Sequence, residues 1–352
     1  SSQFRGEKIV TQLGQHTWHE LCSQPDAWRD ALAVVTAQAA QLGAHHALTH
    51  ASHIIWSGCG SPYFLAQAMA RITQQLESRP TYAVPASEVW LNPEASIPRN
   101  ARPTMILLSR SGKTTEVLRA AEQFRRVAPQ GQIITVTCYA DRPLATVGDI
   151  NIVLPSGQEE SIAQTRAFTV MQMGALALIW LMCGRNLGEL TALGDACADV
   201  ITRYQAQCLE IGSNADYERF YFLGSGYRYG LASEASLKMK EMSLSTSEPF
   251  HHMEFRHGPQ SMVNAQTLVI SVGSQLLNTY EQAVLADMRA LGGHTLAIGP
   301  TADCDMHWHV AVDDLLQGII ALPLLQSIAF ARATSRGLDP DNPHNLNAVV
   351  VL

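Results

Sequence analysis

The chain has 352 residues, of which 47% are hydrophobic and 16% charged, and its formal net charge is −7. This length exceeds what one hydrophobic core usually supports, so two domains are expected. The negative charge argues against the basic surface that nucleic-acid binding requires. The longest apolar run, residues 170–184, is too short to span a bilayer, so no membrane partner is expected either.

The predicted elements, taken in chain order, alternate between strands and helices. Residues 17–50 are predicted to be helical, and residues 188–211 to form a long linking helix. The first half is predicted to contain strands and helices at 54–57, 61–77, 81–84, 104–108, 114–127, 132–138, 151–154 and 165–184. The second half is predicted to contain them at 220–223, 227–246, 267–272, 279–291, 294–298, 307–312 and 315–336. This alternation is typical of an α/β fold with mostly parallel sheets and helices on both faces.

One pattern occurs twice along the chain. Residues 54–63 and 220–229 each run from an apolar strand through a turn of small residues into a helix. The later strands at 104–109 and 267–271 each end in a polar turn. The repeat predicts two similar α/β domains, and functional sites are usually found where such domains meet.

The cysteines and the start of the chain bear on the compartment. The seven cysteines are odd in number and scattered, and no zinc-type Cys-x2-Cys occurs among them. Such usage is typical of a reducing compartment. Because no signal peptide opens the sequence, we expect a cytoplasmic protein.

The segment 109–116, Ser-Arg-Ser-Gly-Lys-Thr-Thr-Glu, lies between a predicted buried strand and a helix. Open α/β sheets bind ligands at this end of their strands. The segment contains four hydroxyls, and Ser61 lies on another such turn. Hydroxyls and backbone N–H groups at a helix N-terminus suit an anion such as phosphate. The alternative, an ordinary helix N-cap, needs only one hydroxyl.

Two nucleotide-binding motifs are incomplete. Residues 112–114, Gly-Lys-Thr, are similar to the end of a P-loop, but Leu107 stands where the first glycine is required. Two Gly-x-Gly turns begin a dinucleotide fingerprint, but Tyr63 and Tyr229 stand at its third glycine position. The sequence therefore predicts neither ATP nor NAD as a cofactor.

The helix predicted at 227–246 carries charged residues on one face. At 100° per residue, Glu234, Lys238 and Glu241 fall within about 60° of one another. An exposed ladder of salt bridges is the usual meaning of this spacing. The alternative is a cleft wall whose carboxylate and ammonium groups move protons. A different sector is predicted to be the solvated face, and it contains Ser233, Ser236, Lys240 and Ser243.

Residues 250–259 contain three histidines and a glutamate, His251, His252, Glu254 and His257. No matching Cys or Asp set completes a tetrahedral site, so no metal is expected. His257 precedes Gly-Pro and is interpreted instead as a positioned proton-transfer group. His307 and His309 alternate on a predicted strand and are expected to be structural.

Six motifs in order resemble one known family, the double sugar-isomerase (SIS) module. They are Gly58–Ser61, Ser109–Thr114, Gln164–Thr169, Glu234–Glu241, Phe255–Pro259 and Asp341–Leu346. The resemblance covers roughly residues 18–350. Its nearest members would be the isomerase half of glucosamine-6-phosphate synthase, glutaminase-free deaminases and deglycases, and the galactosamine-6-phosphate deaminase/isomerase group.

The resemblance implies a particular architecture. Two tandem SIS domains, each a flavodoxin-like three-layer sandwich, are expected at residues 51–187 and, with the linking helix, at 188–340. An N-terminal helical segment would occupy residues 1–50 and a C-terminal tail residues 341–352.

The resemblance also implies roles for residues at matching positions. Glu241 would shuttle a proton between C1 and C2 of the sugar, with Lys238 and the acid Glu234 beside it. His257 would open the sugar ring from the other subunit, which implies an obligate homodimer. The residues implied to hold the phosphate are Ser61, Ser109, Arg110, Ser111 and Thr114. Those implied to contact the rest of the substrate are Gly60, Gln164 and Thr165.

The expected reaction follows from these parts and from two departures. No glutaminase domain precedes the module, and Ala348 stands where the synthase has a lysine that contacts the sugar carbonyl. We therefore expect a hexosamine 6-phosphate isomerase/deaminase that releases ammonia and forms a ketose 6-phosphate. The alternatives are a fructosamine-6-phosphate deglycase and a non-catalytic sugar-phosphate-binding regulator. No metal or organic cofactor is expected, because the sugar carbonyl itself makes the α-proton acidic.

Overall fold

The computed structural model describes residues 13–43, 50–99 and 101–352, so parts of the predicted N-terminal helical segment lie outside the described residues. The described chain divides into two compact units. The first-sheet unit comprises residues 26–158, 166–191 and 347–352, and the second-sheet unit residues 13–25, 159–165 and 192–346. The boundaries expected at residues 51, 188 and 341 remain predictions.

Each unit contains one five-stranded parallel sheet flanked by helices. The strands are β1 (Ile54–Gly58), β2 (Thr81–Pro85), β3 (Thr104–Ser109), β4 (Gln132–Thr137), β5 (Ile150–Val153), β6 (Arg219–Gly224), β7 (Thr246–Phe250), β8 (Thr267–Val272), β9 (His294–Gly299) and β10 (Met306–His307). β1, β3 and β8 are buried along their whole length, as expected for parallel strands covered on both faces.

Helices connect the strands. The α-helices are α1 (Gln15–Cys22), α2 (Gln24–Ala37), α3 (Ala39–Gly43), α4 (Ser61–Leu76), α5 (Ala86–Leu91), α6 (Pro93–Ser96), α7 (Thr115–Val127), α8 (Arg166–Met182), α9 (Ala192–Ser213), α10 (Arg228–Ser243), α11 (His252–Phe255), α12 (Asn278–Ala290), α13 (Asp314–Gln317) and α14 (Leu322–Ser335). Short 3₁₀ helices lie at Pro143–Thr146, Pro155–Gly157, Leu187–Leu190, Pro259–Met262 and Gly318–Ala321. α7 shows why such segments are helical: Glu116 lies in its first turn and Arg125 and Arg126 in its last, which complements the helix dipole.

The two sheets share one strand order. It is β2-β1-β3-β4-β5 in the first sheet, and β7-β6-β8-β9-β10 in the second. In such doubly wound sheets the order reverses between the first and third strands of the unit, and ligands bind in the crevice at their carboxyl ends. The loops after β1 and β3, and those after β6 and β8, therefore occupy corresponding places.

The helix predicted at 227–246 is too long, and the strand that follows was not predicted. α10 ends at Ser243 because Leu244 adopts a left-handed conformation with φ of 54°. Residues 246–250 then form β7, which pairs in parallel with β6. β7 is an edge strand, where Pro249 is tolerated because no further strand needs its missing N–H.

The strand predicted at 307–312 is also wrong in extent, since β10 contains only Met306 and His307. The hydroxyl of Tyr204 accepts the N–H of His307 at 3.1 Å and donates to its carbonyl at 3.0 Å. Because a side chain takes up both backbone groups of His307, the hydrogen-bonded pairing of β10 with β9 ends at this residue. His309 lies beyond the strand, so the two histidines do not alternate on one.

One helical stretch among the described residues, Asp314–Ser335, is long and apolar enough to cross a membrane by length and composition alone. The most apolar 18-residue window of this stretch has a mean hydropathy of 1.5, and 94% of that window is buried inside the protein. This burial is typical of a core helix in a folded domain. α8, which contains most of the apolar run at 170–184, is likewise buried along nearly its whole length.

Candidate functional site

The hydroxyl-rich loop of the first-sheet unit, residues 109–114, connects β3 to α7. Gly112 has a φ of +65°, and a Cβ there would lie 2.8 Å from Oγ1 of Thr137, so only glycine fits this turn. Ser109 Oγ accepts the N–H of Gly112 at 3.2 Å, and Ser111 Oγ accepts that of Lys113 at 3.4 Å. Each serine hydroxyl can still donate its own proton, which suits an anionic acceptor.

Two helix N-termini lie at this edge of the first sheet. α4 begins at Ser61 after Gly60, and α7 begins at Thr115 after Thr114. Neither N-cap position makes a side-chain capping hydrogen bond, so Thr114 is not the ordinary cap that was the alternative interpretation. Helices of 16 and 13 residues direct their positive ends to this edge.

Arg110 and the C-terminal residues meet within the same unit. The Arg110 side chain is largely buried, and its Nη2 donates to the carbonyl of Ala348 at 3.3 Å. The N–H of Thr115 donates to the carbonyl of Val350 at 3.3 Å, and the N–H of Leu352 donates to Oγ1 of Thr115 at 3.0 Å. The tail therefore lies against the start of α7 and supplies one acceptor for its first turn.

Glu116 is a residue of this edge to which the sequence analysis assigned no role. It lies in the first turn of α7, and its Oε2 is buried without a hydrogen-bond partner. A buried acceptor without a donor costs free energy, so Glu116 is a polar group of this edge that the protein itself does not satisfy.

In the second-sheet unit, α10 carries the predicted charged cluster. The ammonium of Lys238 lies 3.4 Å from Oε1 of Glu234 and contacts the carboxylate of Glu241. The side chains of Glu234 and Lys238 are 0% and 1% exposed, and that of Glu241 is 19% exposed. The cluster is therefore not an exposed salt-bridge ladder, and only Glu241 reaches solvent appreciably.

Burial and the two carboxylates act in opposite directions on Lys238. Burial alone would lower the pKa of the ammonium, but the charges of Glu234 and Glu241 outweigh it, and the pKa of Lys238 is raised. Lys238 thus stays positively charged and acts as a fixed cation rather than as a base. It holds the carboxylate of Glu241 in place by an ion pair.

The prediction of a solvated face on α10 is wrong, because all three serines assigned to that face are buried. α10 packs against β6 and β7 on one side and against α14 on the other, so nearly its whole circumference is covered. Ser233 and Ser243 donate to the carbonyls of Tyr229 and Met239, one turn earlier. Of this set only Lys240 is exposed. Small polar side chains that satisfy themselves within the helix allow this close packing.

His257 follows the short helix α11 and is exposed. Phe255, two residues earlier, is fully buried, and Arg256 forms an ion pair with Asp287 at 2.6 Å. Gly258, with φ of +125°, then turns the chain. His257 is accordingly an accessible imidazole on a backbone that is anchored on its N-terminal side.

The other candidate metal ligands, His251 and His252, are engaged inside the unit. The ring of His251 stacks on Tyr229 with centroids 4.1 Å apart. His252 is buried, and burial, followed by the charges of Arg228 and His251, lowers its pKa to about 3. Within residues 13–43, 50–99 and 101–352, no three His, Cys, Asp or Glu side chains group as metal ligands would.

Gln164 and Thr165 lie in the segment 159–165 of the second-sheet unit. Thr165 donates both its N–H and its hydroxyl to Oε1 of Glu159, at 2.8 and 3.0 Å, so its hydroxyl is engaged internally. The Oε1 of Gln164 is buried without a hydrogen-bond partner. Glu20, which sequence reasoning missed, accepts the N–H groups of residues 160 and 161.

The comparison with protein families gives one match, the SIS domain, at residues 47–181 and 215–305. Over 247 residues the chain is 28% identical to a glutamine–fructose-6-phosphate aminotransferase (isomerizing) from Sulfurisphaera tokodaii, covering 70% of this chain and 42% of that protein. Over 363 residues it is 25% identical to a protein from Streptomyces coelicolor proposed to be a D-galactosamine-6-phosphate deaminase, AgaS. That match covers 96% of this chain and 94% of the relative. The chain thus spans less than half of the aminotransferase.

Solved structures share the fold. Glucosamine-6-phosphate deaminase from Thermotoga maritima matches with a TM-score of 0.77 and 26% identity, covering 92% of this chain and 100% of the other. Tagatose-6-phosphate ketose/aldose isomerase from Escherichia coli matches with a TM-score of 0.87 and 23% identity, covering 96% and 98%. The second likeness establishes the architecture.

Proposed function

This chain belongs to the SIS domain family, and we propose that it is a phosphosugar isomerase/deaminase acting on a hexosamine 6-phosphate, with release of ammonia and formation of a ketose 6-phosphate. The observation that carries the proposal is the buried Lys238 between Glu234 and the partly exposed Glu241. Burying two charged groups beside a third on one helix is costly, so their retention favours a chemical role over a structural one.

Phosphate binding is assigned to the edge of the first sheet. The hydroxyls of Ser61, Ser109, Ser111 and Thr114 and the N-termini of α4 and α7 supply donors and positive potential there. Arg110 adds a cation that its bond to Ala348 holds in the loop. Gly60 adopts a φ of +60°, which favours glycine, and the space beside its Cα is open to a ligand because nothing lies within 4 Å of a Cβ built there.

Proton transfer is assigned to the charged cluster and to His257. His257 donates or accepts the proton that opens the sugar ring, and in our proposal it serves the active site of a second subunit in a homodimer. Glu241 removes the C2 proton of the open-chain amino sugar and returns a proton to C1. Lys238 holds this carboxylate, and Glu234 helps to keep Lys238 charged.

The steps balance without an external oxidant or reductant. Moving the C2 proton to C1, and one amino proton to the carbonyl oxygen O1, converts the 2-amino aldose into a ketose imine with a C1 hydroxyl. Water adds to C2 of this imine, and ammonia leaves to give the ketose 6-phosphate. The sugar carbonyl acidifies the C2 proton, so the chemistry assigned to these residues is general acid–base catalysis.

The test is a screen of hexosamine and fructosamine 6-phosphates that detects free amine and ketose phosphate. We expect ammonia from a hexosamine 6-phosphate, and Glu241→Gln should lower the rate about 10²–10⁴-fold while substrate still binds. Glu210→Gln, an exposed residue on α9, is the matched control and should leave the rate unchanged.

Other outcomes of the screen would replace the proposal. Release of an amino acid from fructosamine 6-phosphates, without ammonia from hexosamines, would make the protein a deglycase. Binding of both sugar classes with no turnover would make it a sugar-phosphate-binding regulator. Wild-type rates in Glu241→Gln would reduce the charged cluster to a structural ion pair.

A further inference from the structure

The segment that carries His257 is held by a second histidine that the proposed chemistry does not use. His252 is 1% exposed, at the start of α11, five residues before His257. Its Nδ1 lies 2.9 Å from Oγ of Ser225, and its Nε2 lies 2.8 Å from Oγ of Ser271. One imidazole therefore bridges the hydroxyls of two residues at the carboxyl ends of neighbouring strands, β6 and β8.

Glu281 on α12 determines which group donates and which accepts in each hydrogen bond of this network. Its carboxylate accepts the N–H of Ser274 at 2.8 Å and the hydroxyl of Ser274 at 3.0 Å, and it also hydrogen-bonds the hydroxyl of Ser225. Ser225 has one proton, which goes to the carboxylate, so it accepts the Nδ1–H of His252. The Nε2 atom then accepts the hydroxyl proton of Ser271. Each ring nitrogen of a neutral imidazole has its matching partner.

Backbone hydrogen bonds and a buried aromatic ring order the segment that lies between His252 and His257. The N–H of Phe255 donates to the carbonyl of His251 at 3.0 Å, and the N–H of His257 donates to that of Glu254 at 2.9 Å. The buried ring of Phe255 packs on Tyr221 with centroids 4.9 Å apart. A shift of the His252 ring would therefore be transmitted along one short turn of backbone to His257.

Resting on the proposed function of His257, we propose that His252 is a positioning residue that sets where this exposed imidazole stands relative to its substrate. An imidazole suits the task because its two ring nitrogens donate and accept on opposite sides of one rigid ring. At this position asparagine could replace the hydrogen bond of Nδ1 to Ser225 but not that of Nε2 to Ser271. Glutamine could replace only the hydrogen bond to Ser271. The bridge needs both.

The first test is a double-substitution cycle. His252→Asn should lower kcat by up to about 10²-fold with KM little changed, because misplacing a catalytic group by about 1 Å has this cost. In a His257→Asn background the same substitution should lower the residual rate hardly at all. Ser271→Ala, a milder change that keeps the ring, should give a smaller effect in the same direction. The exposed His309→Asn is the matched control.

An equal loss in both backgrounds would overturn the proposal, since a merely structural role would lower both rates alike. The second test is amide hydrogen exchange of residues 251–257 in the full-length protein. His252→Asn and Ser271→Ala should speed exchange there, and His309→Asn should not. Unchanged exchange would also overturn the proposal. If the wild-type protein turns over no sugar phosphate, the proposed function fails on its own, and exchange still decides whether His252 holds the segment.

Discussion

At the carboxyl edge of the first sheet, the loop 109–114 presents hydroxyls at a helix N-terminus, whereas the corresponding loop of the second sheet is bound by carboxylates of its own unit. Glu281 accepts both donors of Ser274, and Asp314 accepts the N–H of Gln275 at 3.1 Å. Asp314 also pairs with the buried Arg228 at 2.8 Å. The second edge thus supplies its own anions.

The contrast shows that duplication of a fold does not duplicate the side chains at the carboxyl edge of its sheet. Both sheets have the same strand order, so both edges offer the same backbone geometry. In our interpretation the first edge keeps its donors for a phosphate, while the second uses them to anchor the segment that carries His257. Side chains alone, chiefly Glu281 and His252, make this difference.

The largest expected effect comes from adding a charge to the first edge. Ser111→Asp places a carboxylate in the loop before α7, where it would repel a phosphate and remove one donor. We expect the affinity for hexose 6-phosphates to fall by about 10²-fold or more, measured by calorimetry. Ser213→Asp, an exposed position at the end of α9, is the control for charge alone. Unchanged affinity in Ser111→Asp would place the phosphate site elsewhere.

The second prediction concerns removal of the Glu281 carboxylate from the carboxyl edge of the second sheet. Glu281→Ala leaves the N–H and hydroxyl of Ser274 without their acceptor, so the free energy of unfolding should fall by about 3 kcal/mol. Acetate or phosphate should restore more stability to this variant than to the wild type, because an anion can take the vacated place. Denaturant titration with and without anion measures both. If the anion stabilises both proteins equally, the second edge is not a filled anion site.

A third prediction concerns acid stability. Burial, then the charges of Arg228 and His251, depress the pKa of His252 from 6.5 to about 3, while the carboxylate of Glu281 lies 3.9 Å from its Nδ1. A depressed pKa means that the contribution to stability is present above about pH 6.5 and is lost as the pH falls towards 3. His252→Gln should remove at most about 1.4 kcal/mol per pH unit from that slope. An unchanged slope would mean that the ring is not buried in its neutral form.

The smallest expected effect lies between pH 4.5 and neutrality. Burial, and next the charge of Glu159, raise the pKa of Glu20 from 4.5 to about 7. A raised pKa gives a contribution that is present below about pH 4.5 and is lost as the pH rises through 7. Glu20→Gln should therefore flatten the pH dependence of the unfolding free energy between these values. The exposed Glu210→Gln is the control, and equal flattening in both would argue against Glu20 as the source.

Patterns among residues close together in the sequence predicted part of the fold and of the candidate site. The alternation of apolar runs and helices predicted two parallel sheets, and the structure confirms both. The loop 109–114 was found because a strand, a hydroxyl-rich turn and a helix follow one another directly in the chain. The charged stripe on α10 was found because helical periodicity places Glu234, Lys238 and Glu241 together.

Other features depended on residues far apart in sequence. The packing of α14 and the sheet against α10 decides which side chains of that helix are buried. Helical periodicity does not reveal this packing, and the prediction of a solvated face with three serines is wrong for that reason. β7 exists because β6 offers it a partner, and β10 is short because Tyr204 engages its end.

By itself the sequence determined the α/β class, the repeat, the hydroxyl loop and the spacing of the charged residues, since each depends on neighbours within a few turns of chain. Only the tertiary structure decided that Lys238 is buried between its carboxylates, that Glu281 fills the second edge and that His252 bridges two strands. Burial and hydrogen-bond partnership depend on elements that meet across long stretches of chain. They also set the electrostatics, because an ion pair is weak in water and strong where water is excluded.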